Sequence, residues 1–381
     1  MKNVSGIIPC YAADTSGVCS ALYELGGMTV VHDASGCNST YSTHDEPRWY
    51  DMRSNIFISA LTELDAIMGN DEKLIEDTVS AAKDRAPRFI AVCGSPMPMM
   101  TGVDFDAVAA EIESRSGIRT FALHTNGTRS YIEGASEAFL ELVKEYARPC
   151  SKTEGGVAVL GLTPLDFPLG ADKEIRRWLS ENGFRCLSAL AMGDDLGSVG
   201  ALPAAELSLV VSQTGLAAAE YLKEEYGIPY VCGVPFGKEF AVHLAAYMKD
   251  IIKQNMGCSP VMEPCCGFED ADTVVIGEGF FAGSLTAALR EDMNIKALPL
   301  CTLPAYGPFK SLIGGEISAE EDIKAFLEEK KPGTVIADPL FRYIVPKETR
   351  LIEVPHFAFS GRCFQRNMKN MINTDIKEYF K

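Results

Sequence analysis

The chain has 381 residues, 47% of them hydrophobic, which exceeds what one core organises and predicts two or three folded domains, not a disordered polymer. Thirty-five Lys and Arg against 52 Asp and Glu give a formal net charge of −17, and a surface of that sign repels phosphate backbones and anionic headgroups, so neither nucleic acid nor a membrane is an expected partner. No basic-then-apolar leader opens the sequence and no apolar run reaches spanning length; a cytoplasmic location is expected, where the 12 cysteines stay reduced and serve as core residues, metal ligands or reactive thiols.

Taken in chain order, short β-branched apolar runs alternate with longer amphipathic segments. Residues 28–33 and 88–93 read as strands, 104–116 as a helix, 118–123 as a strand and 131–147 as a helix. The rhythm resumes with a strand at 156–162, a helix at 172–182, a strand at 207–212, a helix at 216–226 and a strand at 229–232. It closes with strands at 273–276, 295–299 and 334–337 around helices at 282–290 and 319–329. Strand–helix alternation implies mostly parallel, doubly wound sheets covered on both faces, so three Rossmann-like α/β domains are expected. Pro149 to Gly156 and Gly257 to Gly267 read as linkers, placing the domains at 1–152, 153–268 and 269–381.

Two glycine-rich stretches fail as nucleotide sites. Gly233-Val234-Pro235-Phe236-Gly237-Lys238-Glu239 is too short for a phosphate loop and puts Glu239 where a magnesium-binding hydroxyl belongs. Gly277-Glu278-Gly279-Phe280-Phe281-Ala282-Gly283 opens a helix after a strand, but its last glycine comes one residue late and Glu278 would crowd a pyrophosphate. The chain is therefore expected to bind no nucleotide, and any reduction it performs must draw its electrons from a partner.

Three cysteines stand apart. Cys10 lies in Pro9-Cys10-Tyr11-Ala12-Ala13, Cys37 in His32-Asp33-Ala34-Ser35-Gly36-Cys37 and Cys93 in Val92-Cys93-Gly94-Ser95-Pro96, the last two just after predicted strands. Loops leaving the carboxyl ends of parallel strands converge on one crevice, and small neighbours let backbone approach an inorganic cluster. Singly, each cysteine reads as one more buried thiol, since cysteine is among the most buried residue types.

Together with Gly17-Val18, Pro87 to Cys93 and Thr101-Gly102-Val103-Asp104, these motifs resemble the nitrogenase component 1 superfamily. Tyr226-Gly227-Ile228-Pro229-Tyr230, Gly233 to Gly237, Val354-Pro355 and Phe359-Ser360-Gly361-Arg362 continue the likeness along nearly the whole chain. The resemblance implies that Cys10, Cys37 and Cys93 bind an iron–sulfur cluster at a subunit interface, either [4Fe–4S] or a larger [8Fe–7S] or [8Fe–8S] unit. It also implies a transient ATP-hydrolysing iron–sulfur reductase partner and a small-molecule substrate. Three ligands leave a cubane one short, so a homodimer, or a heterodimer with a paralogous subunit, is expected.

The position of nitrogenase's cofactor-holding cysteine falls at about Val211, and the chain is short, so a dinitrogen-reducing subunit is not expected. The short, tetrapyrrole-reducing members are nearest in character, and a non-catalytic scaffold for cluster or cofactor assembly is the alternative. His32 is a candidate for orienting a cluster ligand, and His356 falls near a cofactor-binding histidine of nitrogenase; packing roles are the competing readings for both. Cys19 is a reserve ligand, whereas Cys258, Cys265 and Cys266 lack the paired spacing of a zinc site.

Overall fold

The computed structural model describes residues 7, 10–254, 258–260, 270–305 and 317–380. Cys265, Cys266 and most of the second predicted linker lie outside these residues, as do the side chains of Cys37 and Cys258.

Thirteen described strands form three sheets, and every strand pairing is parallel. The first contains β1 (Met28–His32), β2 (Ile56–Ile58), β3 (Ile90–Gly94) and β4 (Thr120–Leu123) in the order β2-β1-β3-β4. The second contains β5 (Gly156–Leu160), β6 (Arg185–Ala189), β7 (Leu207–Val210), β8 (Tyr230–Cys232) and β9 (Cys258–Pro260) in the order β6-β5-β7-β8-β9. The third orders β10 (Thr273–Gly277), β11 (Ala297–Cys301), β12 (Thr334–Ala337) and β13 (Arg350–Glu353) as β11-β10-β12-β13. The α/β class and parallel sheets are as the alternating pattern requires.

Alternation along each strand sorts its side chains between two faces. In the first sheet Met28, Val30, Ile90 and Val92 pack against Leu74, Val79, Phe105 and Ile112 of helices Asp71–Arg85 and Phe105–Ser116. Val31, Ala91, Cys93 and Leu123 face the other way, onto Val18 of helix Asp14–Leu22 and Phe139 of helix Tyr131–Tyr146. Those two helices touch backbone to backbone: a Cβ at Gly17 would sit 2.1 Å from the Tyr131 carbonyl oxygen, and one at Gly134 would sit 1.9 Å from that of Asp14. Only glycine allows this contact.

Two chain ends stitch the units together. Tyr11 and Ala12 donate backbone hydrogen bonds to the carbonyls of Phe359 and Ala358, at 3.2 and 2.9 Å, so the first segment lies on the last unit. Asn373 donates to Pro235 and Gly237 to Met371, so the C-terminal segment returns to the middle unit. Helices Asp71–Arg85 and Glu239–Gln254, and strands β2, β6, β9 and β13, are absent from the predicted elements; β11 begins two residues later than expected.

Candidate functional site

The three units meet where the Cys10 segment crosses helix Phe357–Ser360. Cys10 is half-buried, and its thiol donates to the carbonyls of Ala358 at 3.3 Å and Ala12 at 3.5 Å. Burial pushes its pKa up to about 12, the Ala12 hydrogen bond opposes this, and the Asp166 carboxylate adds to it. A thiol so raised is protonated at neutral pH, and only a bound metal would make it a thiolate.

Cys93, expected at the boundary between a strand and the loop after it, is a strand residue. It lies inside β3, in register with Val31 and Leu123, and its fully buried side chain joins Val18 and Cys19 in the core. Burial raises its thiol well above the ordinary range, against a hydrogen bond with the Thr125 side chain. Cys19 is raised likewise by burial and by Cys93 beside it. Cys37 begins the 3-10 helix Cys37–Thr40, on the excursion that separates β1 from β2. Among the described residues, no three His, Cys, Asp or Glu side chains converge as a metal-holding group. The donor chemistry of Cys10 suits an iron–sulfur cluster; the thiol of Cys93 is packed among core side chains.

The residue that follows β3 in the loop is Ser95, which the sequence reading passed over. It is fully buried at the start of helix Pro96–Thr101, and its Oγ has no hydrogen-bond partner among the described residues. A Ser-Pro step straight after a buried strand was the available signal. The loop is tied to the Cys10 side of the unit, because Thr15 Oγ1 donates to the Gly94 carbonyl at 3.2 Å.

His32 ends β1 on the sheet face opposite Cys93. It is hydrogen-bonded through Nδ1 to Ser59 Oγ at 2.8 Å, and its ring meets Phe105 edge-on at 6.2 Å. Burial lowers its pKa, so it is neutral at neutral pH, and its contacts are those of a packed core residue.

His356 has different surroundings. It is buried between Phe281 and Phe359, which meet its ring edge-on at 5.7 and 4.8 Å, and neither ring nitrogen has a hydrogen-bond partner among the described residues. Its Nε2 lies 3.4 Å from Asp166 Oδ1, the same oxygen that accepts from the Tyr131 hydroxyl; Thr163 Oγ1 donates to Asp166 Oδ2 at 3.0 Å. Its backbone N–H and the Ser360 hydroxyl both donate to Asp338 Oδ2 at 2.8 Å.

Glu278 completes this buried polar group. Its Oε2 accepts from the amides of Phe280 and Phe281 at 2.9 Å, and its Oε1 accepts from the Gln213 amide at 3.1 Å. Burial, and then repulsion from Asp166, push its pKa up to about 8. The first free amides of helix Gly279–Met293 are therefore capped by the chain's own carboxylate. In the same way, Asp292 takes the amides of Lys238, Glu239 and Phe240 in the other glycine-rich stretch. Both helix starts that resemble phosphate sites are closed by carboxylates.

Beside this seam opens a cleft of about 770 Å³ with walls from all three units, among them Tyr50, Phe167, Leu169, Phe357, Arg362 and Arg366. Phe357 belongs to the helix whose next two carbonyls hold the Cys10 segment. Phe167, Pro168 and Met368 also line a narrow crevice that reaches Asp166. No helix among the described residues is long and apolar enough to cross a membrane.

Similarity to known proteins agrees with this arrangement. Residues 17–255 match the family described as nitrogenase component 1 type oxidoreductase. A subunit of the light-independent protochlorophyllide reductase of Chlorobium phaeovibrioides is 31% identical over 171 residues, 43% of this chain and 32% of the relative. The corresponding protein of Chlorella vulgaris is 24% identical over 263 residues, 60% of this chain and 51% of the relative. The chain thus spans about a third to a half of the length of the curated relatives it matches. A solved structure titled nitrogenase Cp1 at pH 5 superimposes with a TM-score of 0.67 at 17% identity, over 96% of this chain and 86% of the other, and carries the fold alone. With more than half of its length matched by the family model, the chain belongs to the nitrogenase component 1 type oxidoreductase family.

Proposed function

We propose that this chain is the catalytic, component 1-type subunit of a two-component reductase that acts on a small molecule, a tetrapyrrole being the first substrate class to try, and not on dinitrogen. An ATP-hydrolysing iron–sulfur reductase would supply the electrons, and this chain would hold an interfacial iron–sulfur cluster within a homodimer. When bound, such a cluster supplies one-electron transfer at low potential. The reading draws on family membership and on relatives named as light-independent protochlorophyllide reductase. The observation that carries it is that the Cys10 segment is hydrogen-bonded to Ala358 and Phe359, the residues that follow the cleft-lining Phe357 on the same short helix.

Of the three thiols in the candidate set, Cys10 and Cys37 stand outside the strands, and Cys93 serves the core. The cluster is accordingly proposed on Cys10 and Cys37, with its remaining ligands from a second subunit or from Cys93 after a rearrangement of β3. What the protein would do around the cluster is to exclude water, through the aromatic cover of Phe341 and Phe359, and to hold protons at the buried seam on Glu278 and Tyr131.

The test is iron and acid-labile sulfide content of anaerobically purified protein and of its Cys10→Ser, Cys37→Ser and Cys93→Ser variants, followed by ATP-dependent turnover with a reductase protein and protochlorophyllide. Loss of iron from the first two variants, with iron kept by the third, supports the two-thiol site. Iron lost from all three restores the three-thiol set, and no iron in the parent after anaerobic reconstitution ends the reductase reading.

A further inference from the structure

We propose that the three-unit cleft is a binding site for a molecule that joins a flat, partly apolar body to two carboxylates, and that Arg362 and Arg366 are the residues that take those carboxylates. The inference rests on reading the cleft as the reductase's substrate site, and it assigns the groups that select what enters.

The cleft's size, about 770 Å³, lies within the range of sites that enclose a cofactor-sized ligand. Its wall offers polar and apolar surface in similar measure, the apolar part coming from Tyr50 of the first unit, Phe167, Pro168 and Leu169 of the second, and Phe357 and Met368 of the third. The apolar part favours a ligand with a hydrocarbon body, which loses little by leaving water there, and the polar part favours a ligand that also carries polar groups. The polar part includes two guanidiniums on the short 3-10 helix Gly361–Asn367, with Asp51 the one carboxylate in the lining.

These arginines are not spent on the fold. Arg366 is exposed and forms no ion pair or hydrogen bond among the described residues. The Nε of Arg362 approaches Asp45 only at 3.9 Å, and the other oxygen of Asp45 accepts from the Tyr11 hydroxyl at 2.8 Å. Two guanidiniums against one carboxylate make the lining locally positive within a chain of formal charge −17, so an anion meets there an attraction that the rest of the chain does not offer.

The fork of a guanidinium matches a carboxylate with two parallel hydrogen bonds, which a lysine does not reproduce. Phosphate recognition usually adds backbone amides at a helix start, and the two glycine-rich helix starts that resemble such sites here are capped by Glu278 and Asp292. Carboxylates, read by side chains alone, fit what lines the cleft.

The experiment measures binding without turnover. Protoporphyrin IX, a porphyrin with two carboxylates, and its dimethyl ester are titrated against the full chain as purified, by quenching of porphyrin fluorescence, for the parent and for Arg362→Ala, Arg366→Ala and the double variant. The free acid is expected to bind the parent more tightly than the ester. Each single variant should lose about tenfold in affinity for the acid, the double variant more, and none should change for the ester; Arg366→Lys should recover part of the loss. Both arginines are exposed, so the variants' thermal unfolding should match the parent's.

Equal binding of acid and ester, or acid binding unmoved in the double variant, overturns the assignment. Because no electron transfer is read, arginine-dependent binding in a protein without reductase activity would count against the proposed reaction alone. Reductase activity unaffected by the double variant would count against the arginines alone.

Discussion

The core of the first unit and the seam between the three units are both closed to water, yet they are built from opposite materials. In the core, Cys93 and Cys19 lie among aliphatic side chains, and two helices touch through Gly17 and Gly134. At the seam, Tyr131, Asp166, Glu278, Asp338 and His356 are buried together, each carboxylate taking several hydrogen bonds. Burial raises Cys10 and Cys93 alike, so thiol acidity does not tell a ligand from a core residue. What separates them is the cost of sparing the side chain: Cys93 leaves a hole in a close-packed core, and Cys10 leaves two carbonyl oxygens at a seam that already houses polar groups.

The contrast breaks first at its tightest point. Gly134→Ala puts a methyl group into the Asp14 backbone, and with no flexible side chain to yield, the loss of stability should reach about 4 kcal/mol or prevent folding of the first unit. Chemical denaturation of soluble variant protein checks it, and a change below about 1 kcal/mol would mean that the helices separate easily.

Glu278 tests the seam next. A carboxylic acid held up to about 8 in the folded state keeps its proton where the unfolded chain has already lost it, so folding stability should fall as pH rises from about 4.5 to about 8 and level off above. Glu278→Gln, which keeps the neutral shape, should flatten that slope and gain a few kcal/mol relative to the parent at pH 8. Denaturation midpoints measured at about pH 5, 6.5 and 8 give the answer, and parallel curves for the two proteins would show that Glu278 is ionised throughout.

Cys93→Ser should cost about 1–3 kcal/mol by placing a hydroxyl in the aliphatic core, with iron content unchanged. A stable variant that has lost its iron would move Cys93 from the core to the ligand set. The smallest effect belongs to Tyr11→Phe, which removes one hydrogen bond to Asp45 at a half-exposed position and should cost less than about 1 kcal/mol. A loss of several kcal/mol there would make the Cys10 segment a structural clasp of the seam.

Much of the fold is legible in the sequence because a central parallel strand is buried on both faces. β1, β3, β5, β7, β8, β10 and β12 are mostly apolar runs, with Thr29, His32 and Ser208 as the polar interruptions inside β1 and β7, and each is among the expected strands. The strands that are not, β2, β6, β9 and β13, all lie at sheet edges. The exposed and half-buried residues of β13, Arg350–Glu353, show why an edge strand reads as loop. Glu278 reads correctly as an obstacle to a pyrophosphate, since any carboxylate beside a helix start competes for the same amides.

The candidate site is legible only in part. The cysteines announce themselves by their neighbours, and local sequence places Cys10 outside regular structure. Whether Cys93 sits at the end of β3 or after it is a matter of one residue, and that residue decides which way the side chain points. Ser95, unremarkable in sequence, becomes visible only as a buried hydroxyl without a partner among the described residues.

By itself, then, the sequence determined the α/β class, the parallel sheets, the acidic surface and the family, because these follow from periodicity, composition and the order of motifs. Only the tertiary structure decided that Asp166 faces His356, that Cys10 lies on the carbonyl of Ala358, and that Tyr50 shares a cleft with Arg366. Those partners stand 190, 348 and 316 positions apart, and contacts at such separations are set by how three sheets pack, which no local pattern encodes.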